Sequence, residues 1–149
     1  MSIDSISIVD FITLFLSIIA TVFSVVTYRN SIIHDRRQAT LDAYNQLQEQ
    51  ALDHLNYYMP SEIVEIAKNP RSEEYKKVSS YVARVEHFCV GVNQKIYDSE
   101  TVYALAKDYL DGVIRARIEP IIDRKNKFGS DNYYENIHRV YDWKEKHKK

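Results

Sequence analysis

Between Phe11 and Tyr28 the chain reads FITLFLSIIATVFSVVTY, eighteen consecutive residues without a charged side chain. Ile8 and Val9 lengthen the run to the size at which a bilayer-spanning helix is the default expectation. Its eleven Leu, Ile, Val and Phe residues favour transfer into lipid by about 5 kcal/mol in sum, more than the Ser and Thr hydroxyls oppose. The competing reading is a core helix of a soluble protein. A cleaved leader would open with positive charge and close on small residues. Here the first 28 residues carry Asp4 and Asp10 but no Lys or Arg, and the run exits through Val25-Val26-Thr27-Tyr28. An uncleaved anchor is therefore expected.

The flanking charges give that anchor a direction. Arg29, Arg36 and Arg37 follow it, with His34 among them, and cationic flanks stay on the cytosolic side. The expected placement is the cell membrane, crossed once, with the N-terminus outside and everything after the arginines in the cytosol. Tyr28 and Arg29 suit the interface, where an aromatic ring and a snorkelling cation both have one wet end. Within the run, Thr13, Ser17, Ala20, Thr21 and Ser24 share one helical face,. Small side chains there allow a second helix to approach closely, which predicts self-association; the alternative is that each hydroxyl bonds back to its own i−4 carbonyl.

The rest of the 149-residue chain leaves room for one domain with a modest core,. Only three Gly and three Pro interrupt a sequence rich in helix formers,. An all-α fold is predicted: a single transmembrane helix followed by a small cytosolic helical bundle. The expected divisions are a short extracytoplasmic tail (1–7), the anchor (8–28), the helical domain (29–143) and a basic, frayed tail (144–149). Cys89 is the only cysteine, so an intrachain disulfide is ruled out.

Periodicity places the helices. No breaker appears between the arginines and Pro60, and Leu41, Tyr44, Leu47, Ala51, Leu52, Leu55 and Tyr58 recur with helical spacing,. The anchor either runs straight into this helix or kinks near Asn30-Ser31. Pro60-Ser61 restarts a short helix that Asn69-Pro70 closes, and Ser72 caps a long one. That long helix predicts a core face of Val78, Tyr81, Val82, Val85, Phe88, Cys89, Val92 and Ile96. Asp98-Ser99-Glu100 caps the next, with Val102, Leu105, Ala106, Tyr109, Leu110, Val113 and Ile114 inward until Pro120 ends or kinks it. Ile118, Ile121 and Ile122 continue to a stop at Gly129. A last helix opens at Ser130 or Asp131 and turns Tyr134, Ile137, Val140, Tyr141 and Trp143 inward.

Residues 83 to 143 carry Glu86, Val90-Gly91-Val92, Ile96-Tyr97-Asp98 and Tyr134-Glu135-Asn136, and Arg37-Gln38-Ala39-Thr40 follows the anchor. In this pattern the chain resembles a bacterial family catalogued as domain of unknown function 4760. The resemblance implies a bacterial, membrane-anchored helical protein, and no activity comes with it.

Glu86 is the most informative polar residue, because it points to the apolar face of its helix, where a lone carboxylate is costly. Arg115, Arg117 or Arg84 is expected to pair with it. A structural ion pair that sets helix register is one reading; a general acid or ligand-binding group is a second, and simple exposure a third. Gly91 costs its helix about 1 kcal/mol relative to Ala. That cost predicts the close approach of another helix, or of a ligand. His87 and Cys89 diverge on a helix, and Glu135-x-x-His138 occurs once, whereas carboxylate-bridged dimetal sites need it twice. No metal or cofactor is therefore expected. Arg124, Lys125, Lys127 and the Lys-rich tail suit an anionic leaflet better than nucleic acid, since the net charge is −1,.

No phosphate loop, metalloprotease helix or nucleophile elbow is present. The expected function is that of a membrane-tethered interaction or regulatory module, with the bilayer, a second copy through the anchor and an unidentified protein as partners. A small membrane-proximal enzyme working around Glu86, Arg115 and Arg117 is one alternative. A membrane-perturbing defence or superinfection-exclusion effector is another.

Overall fold

The computed structural model describes residues 8–106, 112–128 and 134–146, and all of its regular structure there is helical. Helix α1 runs without interruption through Ile8–Asn56, so Asn30 and Ser31 do not break it. Its last turns open into a π-helical segment, Gln48–Leu52. The wider turn shifts the inward face, and the neighbours Ala51 and Leu52 are both fully buried,. The chain divides into two units, Met1–Asp35 and Arg36–Lys149.

In the first unit α1 is apolar and long enough to cross a membrane, and none of that window is buried by the chain itself. A soluble core helix would be covered; here Phe11, Phe15, Phe23 and Val25 are all exposed. The hydroxyls on this stretch are turned onto the helix. Thr13, Ser17, Thr21 and Ser24 each donate to the carbonyl four residues earlier at 2.8 Å, which satisfies a polar group that has no other partner in an apolar surround.

The second unit contains every described buried side chain, beginning with Thr40. Helix α2 (Pro60–Lys68) starts with proline at its first turn, and Glu62 accepts the Met59 N–H at 2.6 Å,. Helix α3 (Glu73–Asn93) is capped by Ser72, whose Oγ accepts the Tyr75 N–H at 3.0 Å,. It buries Val78, Tyr81, Val82, Val85, Phe88, Cys89 and Val92, the face predicted from spacing. Ile96 departs from that prediction and is exposed. The helix ends before it, at Asn93, where the Ile96 N–H reaches back to the Gly91 carbonyl at 2.9 Å. Lys95 takes φ 59 to close this turn, the left-handed position usually given to glycine.

Helix α4 (Ser99–Ala106) follows at once. Val102 is buried as expected, whereas Leu105 is exposed; Tyr109 and Leu110 lie outside the described residues. A π-helical turn, Ile114–Ile118, leads into α5 (Glu119–Phe128). Pro120 does not end the helix. The wider turn just before it accommodates a residue that lacks an N–H and crowds the preceding turn. Ile118, Ile121 and Ile122 are buried. Helix α6 (Glu135–Lys146) closes the described fold. The expected stop at Gly129 and start at Ser130 or Asp131 lie outside the described residues, as do the side chains of Tyr141 and Trp143. Helix α3 is central, packing against α6 most extensively and also against α2 and the end of α1.

Asp98 holds the α3–α4 corner. Its Oδ1 accepts both the backbone N–H (2.8 Å) and the hydroxyl (2.6 Å) of Thr101. Its own N–H donates to the buried Thr40 hydroxyl at 2.8 Å, and that hydroxyl donates to the Arg36 carbonyl at 2.7 Å. Thr101's hydroxyl bond is the chief reason the Asp98 carboxyl is held below the usual range, with Arg37 and Arg36 adding smaller contributions,. Asp98→Ala is expected to destabilise the second unit by about 1 kcal/mol near neutral pH, measured by urea unfolding. A depressed carboxyl stabilises above its unfolded pKa of about 3.9 and loses that contribution as pH falls through the lower folded value. The gap between wild type and variant should therefore narrow in acid; a gap unchanged down to about pH 2 would contradict the assignment.

Candidate functional site

Glu86 sits on α3, half-buried, facing the first turn of α6. A helix start leaves backbone N–H groups without intrahelical partners. The residue before α6, Tyr134, has φ 66 and no side-chain oxygen short enough to cap its own helix. Glu86 supplies the cap from a distant part of the chain. Its Oε1 accepts the Asn136 N–H at 3.2 Å and the Asn136 side-chain amide at 2.7 Å, and its Oε2 accepts the Ile137 N–H at 3.0 Å. Asn93 extends the junction, its Nδ2 donating to Asn136 Oδ1 at 3.0 Å and to the Asn136 carbonyl at 3.2 Å. Negative charge at the positive end of the α6 dipole adds to the attraction.

Of the three arginines expected to pair with Glu86, two have other partners. Arg117 Nε donates to the Tyr58 carbonyl at 3.1 Å, and Arg84 donates to Gln50. The side chain of Arg115 lies outside the described residues. Two backbone N–H groups and an amide at a helix start satisfy a carboxylate without a cation, which is why a search for an opposite charge overlooked Asn93 and Asn136.

Gly91 is also explained differently from the expectation. A Cβ there would lie 2.3 Å from Cε2 and 2.6 Å from Cδ2 of Tyr97. The close neighbour is thus an aromatic ring from the turn that follows the same helix, not another helix. Tyr97 stacks on Phe88 with centroids 5.2 Å apart, and Phe88 meets Tyr44 edge-on at 6.1 Å,.

The rings of Phe88 and Tyr97 floor an open cleft of about 470 Å³ between α1 and α3. Leu47 and Ala43 line one wall, while Arg84, His87 and Val90 line the other. Gln46 and Gln50 add amide groups at the rim, Gln50 from the π-helical segment. Ile96, exposed beyond the end of α3, forms a lip. Sequence alone singles out neither Gln46 nor Gln50 and weighs His87 only as a metal ligand, because exposed polar residues on helices carry no pattern that separates a cleft wall from a solvated face.

Other expected positions fall elsewhere. Arg29, Arg36 and Arg37 are exposed on α1, and Arg37 lies 3.9 Å from Glu100. Glu135 pairs with Arg139 at 2.6 Å. Cys89 is buried beside Glu86, and its thiol is pushed far up, first by burial and then by that negative charge,. Among the described residues, no group of three or more His, Cys, Asp or Glu side chains is gathered to hold a metal ion.

Glu86→Ala removes all three acceptor contacts and is expected to cost about 2–3 kcal/mol, with Glu86→Gln about half that because one oxygen acceptor remains. Urea unfolding measures both; a loss below about 0.5 kcal/mol for the alanine variant would show that α6 is held by apolar packing alone. Gly91→Ala should destabilise by about 1–2 kcal/mol in the native background, as the Tyr97 ring is displaced. In a Tyr97→Ala background the same change should be neutral or stabilising by up to about 1 kcal/mol, since only helix propensity is left. An unchanged sign in the two backgrounds would refute the contact.

The family model described as Domain of unknown function (DUF4760) matches residues 11–143, a range that contains the apolar stretch, the cleft and the Glu86 junction. No curated protein and no solved structure matches the chain.

Proposed function

This chain belongs to the DUF4760 family, and from that premise we propose that it is a membrane-tethered interaction or regulatory module. In this reading the apolar half of α1 is a single-pass anchor, the N-terminus lies outside, and the helical body is a cytosolic bundle offered to a protein partner. One observation carries the reading: an apolar helical stretch that no part of the described chain covers. Water is a poor environment for such a surface and lipid a good one. Arg29, Arg36 and Arg37 beyond it supply the orientation.

The second half of the reading rests on how the polar residues are used. Glu86, the strongest candidate for acid or base work, accepts three hydrogen bonds at the start of α6. A carboxylate so occupied stabilises a helix junction and has no described proton-transfer partner. That supports a binding role over the small enzyme centred on Glu86. Self-association through Thr13, Ser17, Ala20, Thr21 and Ser24 belongs to the same proposal. Their hydroxyls are already bonded within the helix, so close backbone approach along the small face would drive it, not hydrogen bonding between helices.

The buried, poorly ionised Cys89 makes the topology testable without removing native residues, because it should give little background towards thiol reagents. A membrane-impermeant maleimide added to intact cells is expected to label Ser5→Cys but not Ser61→Cys, with the pattern completed only after lysis. Labelling of Ser61→Cys in intact cells would invert the proposed orientation, and recovery of the chain in the soluble fraction would remove the anchor altogether. In the same membranes, Ser17→Leu with Ser24→Leu should abolish chemical cross-linking between copies; unchanged cross-linking would rule out the small face. Pull-down should recover a protein other than the chain itself, and recovery of the chain alone across growth conditions would count against the interaction role.

A further inference from the structure

We propose that the α1–α3 cleft binds a small anionic amphiphile, with its carboxylate held by Arg84 and His87 and a flat apolar body lying on Phe88 and Tyr97. The inference goes beyond the anchoring reading, because it concerns the second unit alone and stands whichever way the apolar stretch is oriented. Four observations converge on it.

The cleft's volume, about 470 Å³, falls in the range of clefts that take small molecules. Its charge is one-sided. No Asp or Glu lines it, whereas Arg84 and His87 both do, and their spacing of three residues on α3 sets them on one face. Arg84 is held by the neutral side-chain oxygen of Gln50, with no carboxylate among the described residues pairing to it. Its guanidinium is therefore oriented while its charge is uncompensated, the state in which an arginine receives an incoming carboxylate.

The floor is apolar and shaped. Phe88 and Tyr97 are stacked at 22° to each other; Phe88 is almost wholly covered, and the half-buried Tyr97 ring presents the aromatic surface. That surface depends on Gly91, since any side chain there would push the Tyr97 ring away. The rim is built from an irregular turn: Gln50 lies within the π-helical segment Gln48–Leu52, and single π turns inside α-helices often accompany ligand sites. Exposed Ile96 also lines the cleft. An occupant with one anionic head and one flat hydrophobic body matches all of these groups at once; a cation or a purely polar anion leaves either the arginine or the floor without a partner.

The test uses the full chain in phosphatidylcholine nanodiscs, with empty discs as background and co-elution with the discs as a separate readout of insertion. Equilibrium dialysis with 2-naphthoate is expected to show saturable binding at one molecule per chain. 2-Naphthylmethanol, which has the same body without the charge, should bind about tenfold more weakly. Arg84→Gln should weaken naphthoate binding about tenfold and leave naphthylmethanol binding unchanged, while Arg139→Gln, outside the cleft, should change neither. If loss of the Gln50 contact impairs folding of the Arg84 variant, as circular dichroism would reveal, the exposed His87→Gln variant carries the test with a severalfold loss. Equal affinity for acid and alcohol, no saturable binding above empty discs, or naphthoate binding indifferent to both substitutions would overturn the proposal, even where insertion into the discs is normal.

Discussion

A single carboxylate joins the last described helix to the centre of the fold. Glu86 projects from α3, the helix against which α6 packs most extensively, and its oxygens take two backbone N–H groups of the first turn of α6, that of Ile137 being shared with the Tyr134 carbonyl,. A helix of twelve residues is near the length at which isolated helices are marginal in water. Its persistence therefore depends on tertiary packing and on this cap. Ile137 and Val140 provide the packing, both buried. Glu86 supplies direction, because hydrogen bonds to two successive amides define where the helix starts and which residues face α3.

The short sequence motifs spread over a hundred residues belong to the same construction. Thr40 on α1 meets the backbone of Asp98, Asp98 starts α4, Tyr97 occupies the space left open by Gly91, and Asn136 joins Asn93 and Glu86. The Thr40–Asp98 and Asn136–Asn93–Glu86 contacts join segments far apart in the chain, while the Asp98 cap and the Tyr97–Gly91 contact fix the corner between neighbouring helices. Residues that might have suggested chemistry serve to join elements. What is left unengaged is the cleft beside them, where Arg84 and His87 face solvent over an aromatic floor.

Apolar periodicity made most of the helices legible before any coordinates. The buried face of α3 and the buried Ile118, Ile121 and Ile122 followed from spacing alone, as did the caps at Ser72 and Asp98. The errors share a cause. Ile96 was placed on a helical face because the pattern continued past Asn93, yet the Lys95 turn ends the helix with no glycine to announce it. Of the two outcomes expected at Pro120, an end or a kink, the end does not occur, and the π turn before it allows the helix to continue. Glu86 was assigned a cation because charge suggests charge, when a helix terminus offers the same compensation through neutral amides. Thr40 was omitted from the core because it is polar, although two hydrogen bonds make its burial inexpensive,. In every case the deciding partner lies far away in sequence or in backbone geometry that side-chain identity does not encode.

The distribution of burial separates the two halves of α1 on physical grounds. Every described buried residue lies at Thr40 or beyond, while the large apolar side chains from Ile8 to Ile33 are exposed. Among the described residues, the core of the helical body is built from Thr40 onward. Hydrophobicity that does not serve folding must be covered by something other than this chain, because an uncovered apolar surface of such length drives association in water. A bilayer covers it all round, and the back-bonded hydroxyls of Thr13, Ser17, Thr21 and Ser24 are compatible with that solvent, since they leave no unsatisfied donor on the surface,. The first charged residue after Asp10 is Arg29, and this spacing matches the thickness of a hydrocarbon core rather than the width of a protein interior. The same helix therefore changes character along its length, its sequence passing from uniformly apolar to one-sided where the buried face begins.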